Sequence, residues 1–452
     1  MQESAKESNY YRQMSDLTNY NPSQREAVTF GEGPLLVLAG PGSGKTFTIT
    51  QRILYLIHEK QIPPQKLLVI TFTREAAVSM RQRFLQISPQ HTTVNFGTFH
   101  SCFYQILLRS GRVSPGNILN EKQKKELIYP VLKKIKAHNA LSATDLPELA
   151  KNLLAAIGYY KNTGDLQSSM DRLPEEWKND FAQIYSGYEE ARKRIRGLDF
   201  DDMLKECEEL LQKDDALRAY WQNLFSYILI DEFQDINYRQ YCIVRLLAQK
   251  HKNVFAVGDD DQAIYGFRGA KPACMKQFVQ EFGAKQIILS TNYRSHQDIV
   301  EASLAVITEN SDRFPKNLEP CEANRRHLGK MDKKNYHVRI REFSGAKEQL
   351  QFLMRQLKNR TEGETYGILF RTNLAMQSVA AGLTREGIPF SIKEHGKNIY
   401  DHFIVQDILA YLRIAQGTAA RADYLRVVNK PFRNISREAF GGEVSLQALE
   451  HY

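Results

Sequence analysis

Leu35–Thr50, LLVLAGPGSGKTFTIT, is the stretch on which the reading of this chain turns. An apolar run from Leu35 to Ala39 enters a loop of Gly40, Pro41, Gly42, Ser43 and Gly44, and Lys45-Thr46 opens the next element. Apolar strand, glycine-rich loop and Lys-Thr at a helix start form the context of a phosphate-binding P-loop, G-x-x-x-x-G-K-[ST], with Ala39 at the first position of the pattern. Glycines let successive backbone N–H groups turn toward one anion without a Cβ in the way. The helix start adds unpaired N–H groups and the positive end of its dipole. In this arrangement Lys45 reaches the β- and γ-phosphates and the Thr46 hydroxyl ligates Mg²⁺. A glycine-rich turn that binds nothing is the alternative, and Lys-Thr in register weighs against it.

The composition bounds the rest. A chain of 452 residues has room for about three domains with sizeable cores. The net charge of +9 favours a polyanionic partner, although charge alone is weak support. Cys102, Cys207, Cys242, Cys274 and Cys321 show no Cys-x-x-Cys pair, which points away from a disulfide framework or zinc site. The polar start, MQESAKESNYYRQ, is unlike a secretory signal, and no apolar run is long enough for a membrane span. The expectation is a cytoplasmic protein with no membrane partner.

Outward from the P-loop, residues 1–16 read as a polar tail, and Asn21 caps a helix with Pro22 at its first position. Gln24 is either a surface residue or an amide that reads an adenine edge. Lys66–Thr73 is a short apolar run consistent with a buried parallel strand, and Arg74–Leu85 has helical spacing. This alternation predicts a doubly wound α/β sheet with ligands at the strand C-termini, where Phe72, Thr73, Thr98 and His100 fall. His100 is equally readable as a packed histidine. From 104 to 196 the pattern is helical with charged faces, an insertion in which Arg192–Arg196 reads as a solvated face rather than a phosphate contact.

Tyr227–Ile230 then runs into Asp231-Glu232, followed by Phe233-Gln234-Asp235. Such a pair is either a helix cap or, downstream of a complete P-loop, a metal carboxylate (Asp231) beside a base that takes a proton from attacking water (Glu232). Asn253–Val257 leads to Gln262, a possible γ-phosphate sensor, and to Tyr265, Phe267 and Arg268, which offer stacking surfaces and a cation for a single strand. Gln286–Leu289 leads to Tyr293 and Arg294, an aromatic for stacking and a candidate arginine finger. Residues 311–340 read as an exposed basic loop. Strands over Val338–Phe343 and Tyr366–Arg371 flank a helix over Ala346–Asn359, restarting an α/β pattern.

Together these motifs resemble the UvrD/Rep/PcrA-type superfamily 1A DNA helicases from about residue 17 onward. The segments that carry the resemblance are NPSQREAV, AGPGSGKT, VITFTREAA, GTFHS, LDFDDML, LIDEFQD, VGDDDQAIYGFRGA, LSTNYRS and GILFRTN, in the family's order. It implies a P-loop RecA-like domain over 17–103 and 197–290, a helical insertion over 104–196, a second, incomplete RecA-like domain over 291–392 and the start of a second insertion over 393–452. The implied cofactors are ATP and Mg²⁺. The implied partners are single-stranded and 3′-tailed duplex DNA, along which such motors move 3′→5′. By position, Gln24 matches the adenine-reading Gln, Tyr293 the aromatic packed on adenine and Arg294 the first arginine finger. Lys45 and Thr46 match the triphosphate–metal pair, Asp231 and Glu232 the metal carboxylate and base, and Gln262 the γ-phosphate sensor. Phe72, Tyr265 and Phe267 match the aromatics that pocket DNA bases.

Three positions depart from the family pattern. Phe47 stands where many members place an Arg against adenine, Ala263 replaces a usual Ser, and Phe267 a usual Trp. Neither the GLEF-type segment nor the motif with the second arginine finger is found. The expectation is therefore an N-terminal portion of the family, truncated inside its second insertion. The competing reading is a module that binds ATP and DNA without unwinding. A nucleotide kinase or GTPase would not need the DNA-facing aromatics.

Overall fold

The computed structural model describes residues 20–135, 146–325, 338–361, 363–393, 400, 403–431, 433 and 435. The chain divides into two compact units, one ending at Val338 and the other beginning at Arg339.

The first unit is built on six parallel strands: β1 (Leu35–Ala39), β2 (Leu67–Thr71), β3 (Asn95–Thr98), β4 (Tyr227–Ile230), β5 (Val254–Gly258) and β6 (Lys285–Leu289). Their order is β3-β2-β4-β5-β1-β6. Strand residues point alternately to opposite faces, and here both faces are covered. Leu36, Leu38, Leu68, Ile70, Ile228, Ile230 and Ala256 enter one core. Leu35, Val37, Leu67, Val69, Leu229 and Val257 enter the other. This is why the four inner strands, β1, β2, β4 and β5, read as continuous apolar runs rather than alternating ones. Helices α1 (Lys45–His58) and α2 (Arg74–Ile87) bury Ile49, Ile53, Met80 and Phe84 on the second face. Helix α3 (Phe99–Arg109) lies on the first.

Between α3 and β4 the described residues form no strand and hold a helical body with its own core of Ile128, Leu153, Trp177, Phe181, Ile184 and Tyr188. Helices α4 (Leu146–Thr163) and α5 (Phe181–Arg194) meet α6 (Phe200–Lys213) at its root through an ion network. Lys161 Nζ lies 2.6 Å from Glu189, 2.7 Å from Asp199 and 2.9 Å from Asp202, and Arg192 bridges Asp202 and Glu189. Arg192, expected on a solvated face, is therefore buried, while Lys193 and Arg194 are exposed.

Residues 311–325 differ from the exposed basic loop expected of them. Glu319–Pro320 forms a two-residue strand, β8, paired with β7 (Thr291–Asn292), and Lys316 is buried. The cause is a set of acidic partners distant in sequence, Asp259, Asp260 and Asp261. Residues 326–337 lie outside the described residues.

In the second unit, helices over Ala346–Lys358 and Asn373–Arg385 share a small core of Met354, Leu357, Val379 and Leu383. Helices over Phe403–Ala415 and Arg421–Val427 are joined by Arg413–Asp423 and Arg426–Asp407 pairs. The strands expected over Val338–Phe343 and Tyr366–Arg371 are not formed. Their backbone has no ladder partner among the described residues, and Ile340 and Leu369 are 92% and 97% exposed. A strand's apolar pattern gains nothing until another strand accepts its hydrogen bonds. No helix of the described residues is long and apolar enough to cross a membrane.

Candidate nucleotide and nucleic-acid site

The C-terminal ends of β1, β4, β5 and β6 gather the first group of candidate residues. Gly44 caps α1 with φ +86°, and Gly42 has φ +69°, both left-handed conformations that favour glycine. Ser43 Oγ donates to Gly40 O at 2.8 Å, tightening the loop. Gln24 is buried against it, donating from Nε2 to Ser43 O at 3.1 Å, while its own helix start is fixed by a reciprocal cap with Asn21.

Lys45 Nζ donates to Glu232 Oε2 at 2.9 Å and Oε1 at 3.2 Å. Glu232 has φ +52°, uncommon for a residue with a Cβ, and such strain persists only where the surroundings over-determine it. The surroundings do so here: Gln234 donates from Nε2 to Glu232 Oε2 at 2.8 Å and accepts the Asp259 N–H on Oε1 at 2.9 Å. Buried Gln234 thus ties the end of β4 to the end of β5. Gln262 continues the chain, donating to Asp259 Oδ2 at 2.6 Å.

Asp231 is buried, and its Oδ1 accepts the Glu232 N–H at 3.0 Å. Burial, and then the neighbouring Glu232, push its carboxyl up to about 6. Asp235 is pushed up to about 6 by the same two causes. Even with Lys45 alongside, this cluster is short of positive charge. That deficit, with hard oxygen donors on Asp231 and Thr46, fits a divalent cation. Among the described residues, Asp259, Asp260 and Asp261 also converge closely enough to hold a metal ion. A cation already sits there, because the Lys316 ammonium contacts all three carboxylates.

The segment after β6 is laid on the P-loop. Asn292 Nδ2 donates to Pro41 O at 2.7 Å and Tyr293 N to Gly42 O at 2.9 Å. The Tyr293 hydroxyl accepts from Asn21 at 2.9 Å. A Cβ on Gly42 would lie 2.7 Å from Arg294 Cβ, and one on Gly40 would overlap Leu318. Arg294 is exposed at the rim of the loop. Phe47 is 41% exposed and packs on Tyr20 with ring centres 5.5 Å apart.

A second group lies beyond β2 and β5. Phe72 and Tyr265 have ring centres 4.6 Å apart, and Tyr265 and Phe267 6.0 Å, with tilted planes in both pairs. Phe267 is 60% exposed. Thr73 and Thr98, placed with this group by sequence, are helix caps: their hydroxyls accept from Ala76 N at 3.1 Å and Ser101 N at 3.2 Å. His100 packs edge-on against Phe200 at 5.3 Å, and burial pulls its pKa down, favouring the neutral ring. The Arg268 side chain lies outside the described residues.

Sequence reasoning gives no role to Gln234 and Asn292, although they fall within the LIDEFQD and LSTNYRS segments, and passes over Lys316, which lies in none of the motifs. The run Asp259-Asp260-Asp261 is the available signal for the last, since three adjacent carboxylates at a buried strand end require a cation.

Comparison with known proteins adds the descent. A family model described as the UvrD/REP helicase N-terminal domain matches residues 20–283, and one described as the UvrD-like helicase C-terminal domain matches 287–444. The second match corrects the expectation that only an N-terminal portion is present. The chain is 33% identical over 443 residues to the ATP-dependent DNA helicase PcrA of Staphylococcus aureus and 34% identical over 445 residues to that of Staphylococcus epidermidis. Each alignment covers 96% of this chain and 58% of the relative, so the chain spans under two thirds of the length of these curated relatives.

Proposed function

The chain belongs to the UvrD/REP helicase family, and from that premise we propose that it is an ATP-driven motor that moves 3′→5′ on single-stranded DNA and opens a 3′-tailed duplex. The observation that carries this reading is the Lys45–Glu232 pair at the mouth of a P-loop, on the same first unit as the Phe72–Tyr265–Phe267 aromatic cluster.

In this reading Lys45 and the P-loop N–H groups bind the β- and γ-phosphates, while Gln24, Phe47 and Tyr293 surround the adenine. Thr46 and Asp231 would hold Mg²⁺, which when bound would offset charge on the phosphate oxygens. Glu232 orients the attacking water and accepts its proton as the water oxygen bonds to the γ-phosphorus and the bond to the β–γ bridging oxygen breaks. Gln262 contacts the γ-phosphoryl group, and Arg294 supplies positive charge as the transition state forms. DNA bases stack on Phe72, Tyr265 and Phe267, with Arg268 toward the backbone.

The route from one site to the other runs through Ile236 and Asn237. Lys271 N donates to Ile236 O at 3.0 Å, and Asn237 bridges Ala270, so the backbone after Glu232 is joined to the backbone after Phe267. The test is strand displacement by the purified chain with ATP and Mg²⁺ on 3′-tailed and 5′-tailed duplexes. Displacement of the 3′-tailed duplex alone supports the proposal. ATP turnover indifferent to single-stranded DNA would refute it.

A further inference from the structure

Lys316 is the most fully enclosed cation among the described ion pairs, with a side chain 0% exposed. Its ammonium donates to Asp259 Oδ1 at 2.6 Å, to Asp260 Oδ1, and lies 3.0 Å from Asp261 Oδ2. Arg313 closes the outer side, donating to both oxygens of Asp261 at 2.8 and 2.6 Å, and Phe314 N donates to Asp260 Oδ2 at 2.7 Å. A lysine buried among three carboxylates is costly to assemble, and losing one partner leaves uncompensated charge in a dry place. The arrangement is too expensive to serve as a surface tether.

Its two ends explain what it joins. On one side, Asp259 uses Oδ1 for Lys316 and Oδ2 for the Gln262 amide, so the ammonium fixes the carboxylate that aims Gln262. On the other side, Lys316 is two residues from Leu318, which packs on Gly40, and three from β8. Strand β8 pairs with Thr291–Asn292, and Asn292 holds both the Pro41 carbonyl and the Arg294 N–H. The segment carrying Lys316 lies within the stretch matched by the C-terminal family model, and the three aspartates lie within the N-terminal one.

We propose that Lys316 is a positioning residue for ATP hydrolysis: a built-in cation that locks the Gln262 loop to the segment bearing Arg294, so that both approach the γ-phosphoryl group as one rigid body. This rests on the roles given above to Gln262 and Arg294.

The experiment compares the parent chain with Lys316→Met, Gln262→Ala and the double variant. Readouts are steady-state ATP hydrolysis with single-stranded DNA, affinity for a fluorescent ATP analogue, and amide hydrogen exchange across 258–264 and 290–296. Lys316→Met should lower kcat about 10–100-fold, the scale of a misplaced catalytic group. KM and nucleotide affinity should change much less than kcat, because Lys316 makes its ion pairs with Asp259, Asp260 and Asp261 and not with the P-loop itself. The double variant should be no slower than the slower single variant, because both changes act through one group. Exchange should quicken together in both segments, including the Gln262 N–H, which donates to Asp259 O at 2.9 Å.

Parental kcat with parental exchange in Lys316→Met would overturn the proposal, and so would multiplicative losses in the double variant. If Gln262→Ala turns over ATP at the parental rate, or the parent does not turn it over, the reading of Gln262 fails instead. The exchange arm still decides whether Lys316 joins the two segments. Should Lys316→Met not yield folded protein, Arg313→Met at the rim of the cluster is expected to give the same split between kcat and KM at smaller amplitude. An equal loss in both constants there would count against the proposal.

Discussion

The Lys45 ammonium spans both carboxylate oxygens of Glu232, at 2.9 and 3.2 Å, so the proposed phosphate-binding cation and the proposed base are direct partners. If Lys45 binds the β- and γ-phosphates as proposed, a γ-phosphate in the loop competes with Glu232 for the same ammonium. Lys45→Ala therefore removes a charge-assisted contact worth about 1.5–3 kcal/mol, and ATP-analogue affinity should fall roughly tenfold or more. Glu232→Gln should keep that affinity while turnover drops about 10²–10⁴-fold. Turnover at the parental rate in Glu232→Gln would show that another group takes the proton.

Single-stranded DNA should bind by stacking and phosphate contact. Tyr265 sits between Phe72 and Phe267, so Tyr265→Ala should cost about 1–3 kcal/mol, read as a drop in affinity for a labelled oligonucleotide, and affinity should fall as salt rises. Unchanged affinity in Tyr265→Ala would remove the base-stacking assignment.

Gly42→Ala places a methyl 2.7 Å from Arg294 Cβ and 2.8 Å from Asn292 Oδ1, at a left-handed φ. The backbone cost alone is about 1–2 kcal/mol. Both thermal stability and ATP turnover should decline, since the contact lies on the proposed arginine finger. A variant that turns over ATP normally would show that the P-loop and the 292–294 segment move independently.

Asp201, at the root of the helical body, accepts from Asn162 at 2.6 Å. Burial and then Asp199 push its carboxyl up to about 6, from an ordinary 3.8. A raised carboxyl pKa means the folded state holds the proton more tightly than the unfolded one. The penalty is absent below the ordinary value and complete above about 6. Asp201→Asn keeps an acceptor for Asn162 and abolishes the titration. Because the residue is part-exposed, the gain near pH 8 should be on the order of 1 kcal/mol, shrinking to nothing near pH 4. Urea denaturation at the two pH values checks this, and an equal effect at both would disprove the pKa origin.

The sequence displays the centre of the first sheet and one edge, where Gln286–Leu289 falls within β6, and conceals the other edge. Leu35–Ala39 and Tyr227–Ile230 are legible as strands with the bounds observed, because burial on both faces leaves an uninterrupted apolar run. Asn95–Thr98 is not legible as a strand: it is four residues long, half-buried and at the sheet edge, so burial selects little. The P-loop and the acidic pair are legible since their chemistry constrains residue type at fixed spacing. Arg313 and Lys316 look like solvent-facing charges because their carboxylates are more than one secondary element away. Thr73 and Thr98 fall to DNA on position alone, and the capping role that Thr-x-x spacing also encodes is the one the structure displays.

The strand order has a consequence for biosynthesis. Leu35 in β1 pairs with Phe255 of β5 on one side and Lys285 of β6 on the other. The P-loop strand therefore leaves the ribosome early and waits, both edges bare, for neighbours made last. Such distant pairing slows folding and prolongs exposure of apolar edges. A stalled nascent chain ending before Val254 should leave Leu35–Ala39 open to protease, and one extended beyond Leu289, far enough to clear the exit tunnel, should close it. The P-loop strand is therefore expected to gain both of its neighbours only once β6 has been made.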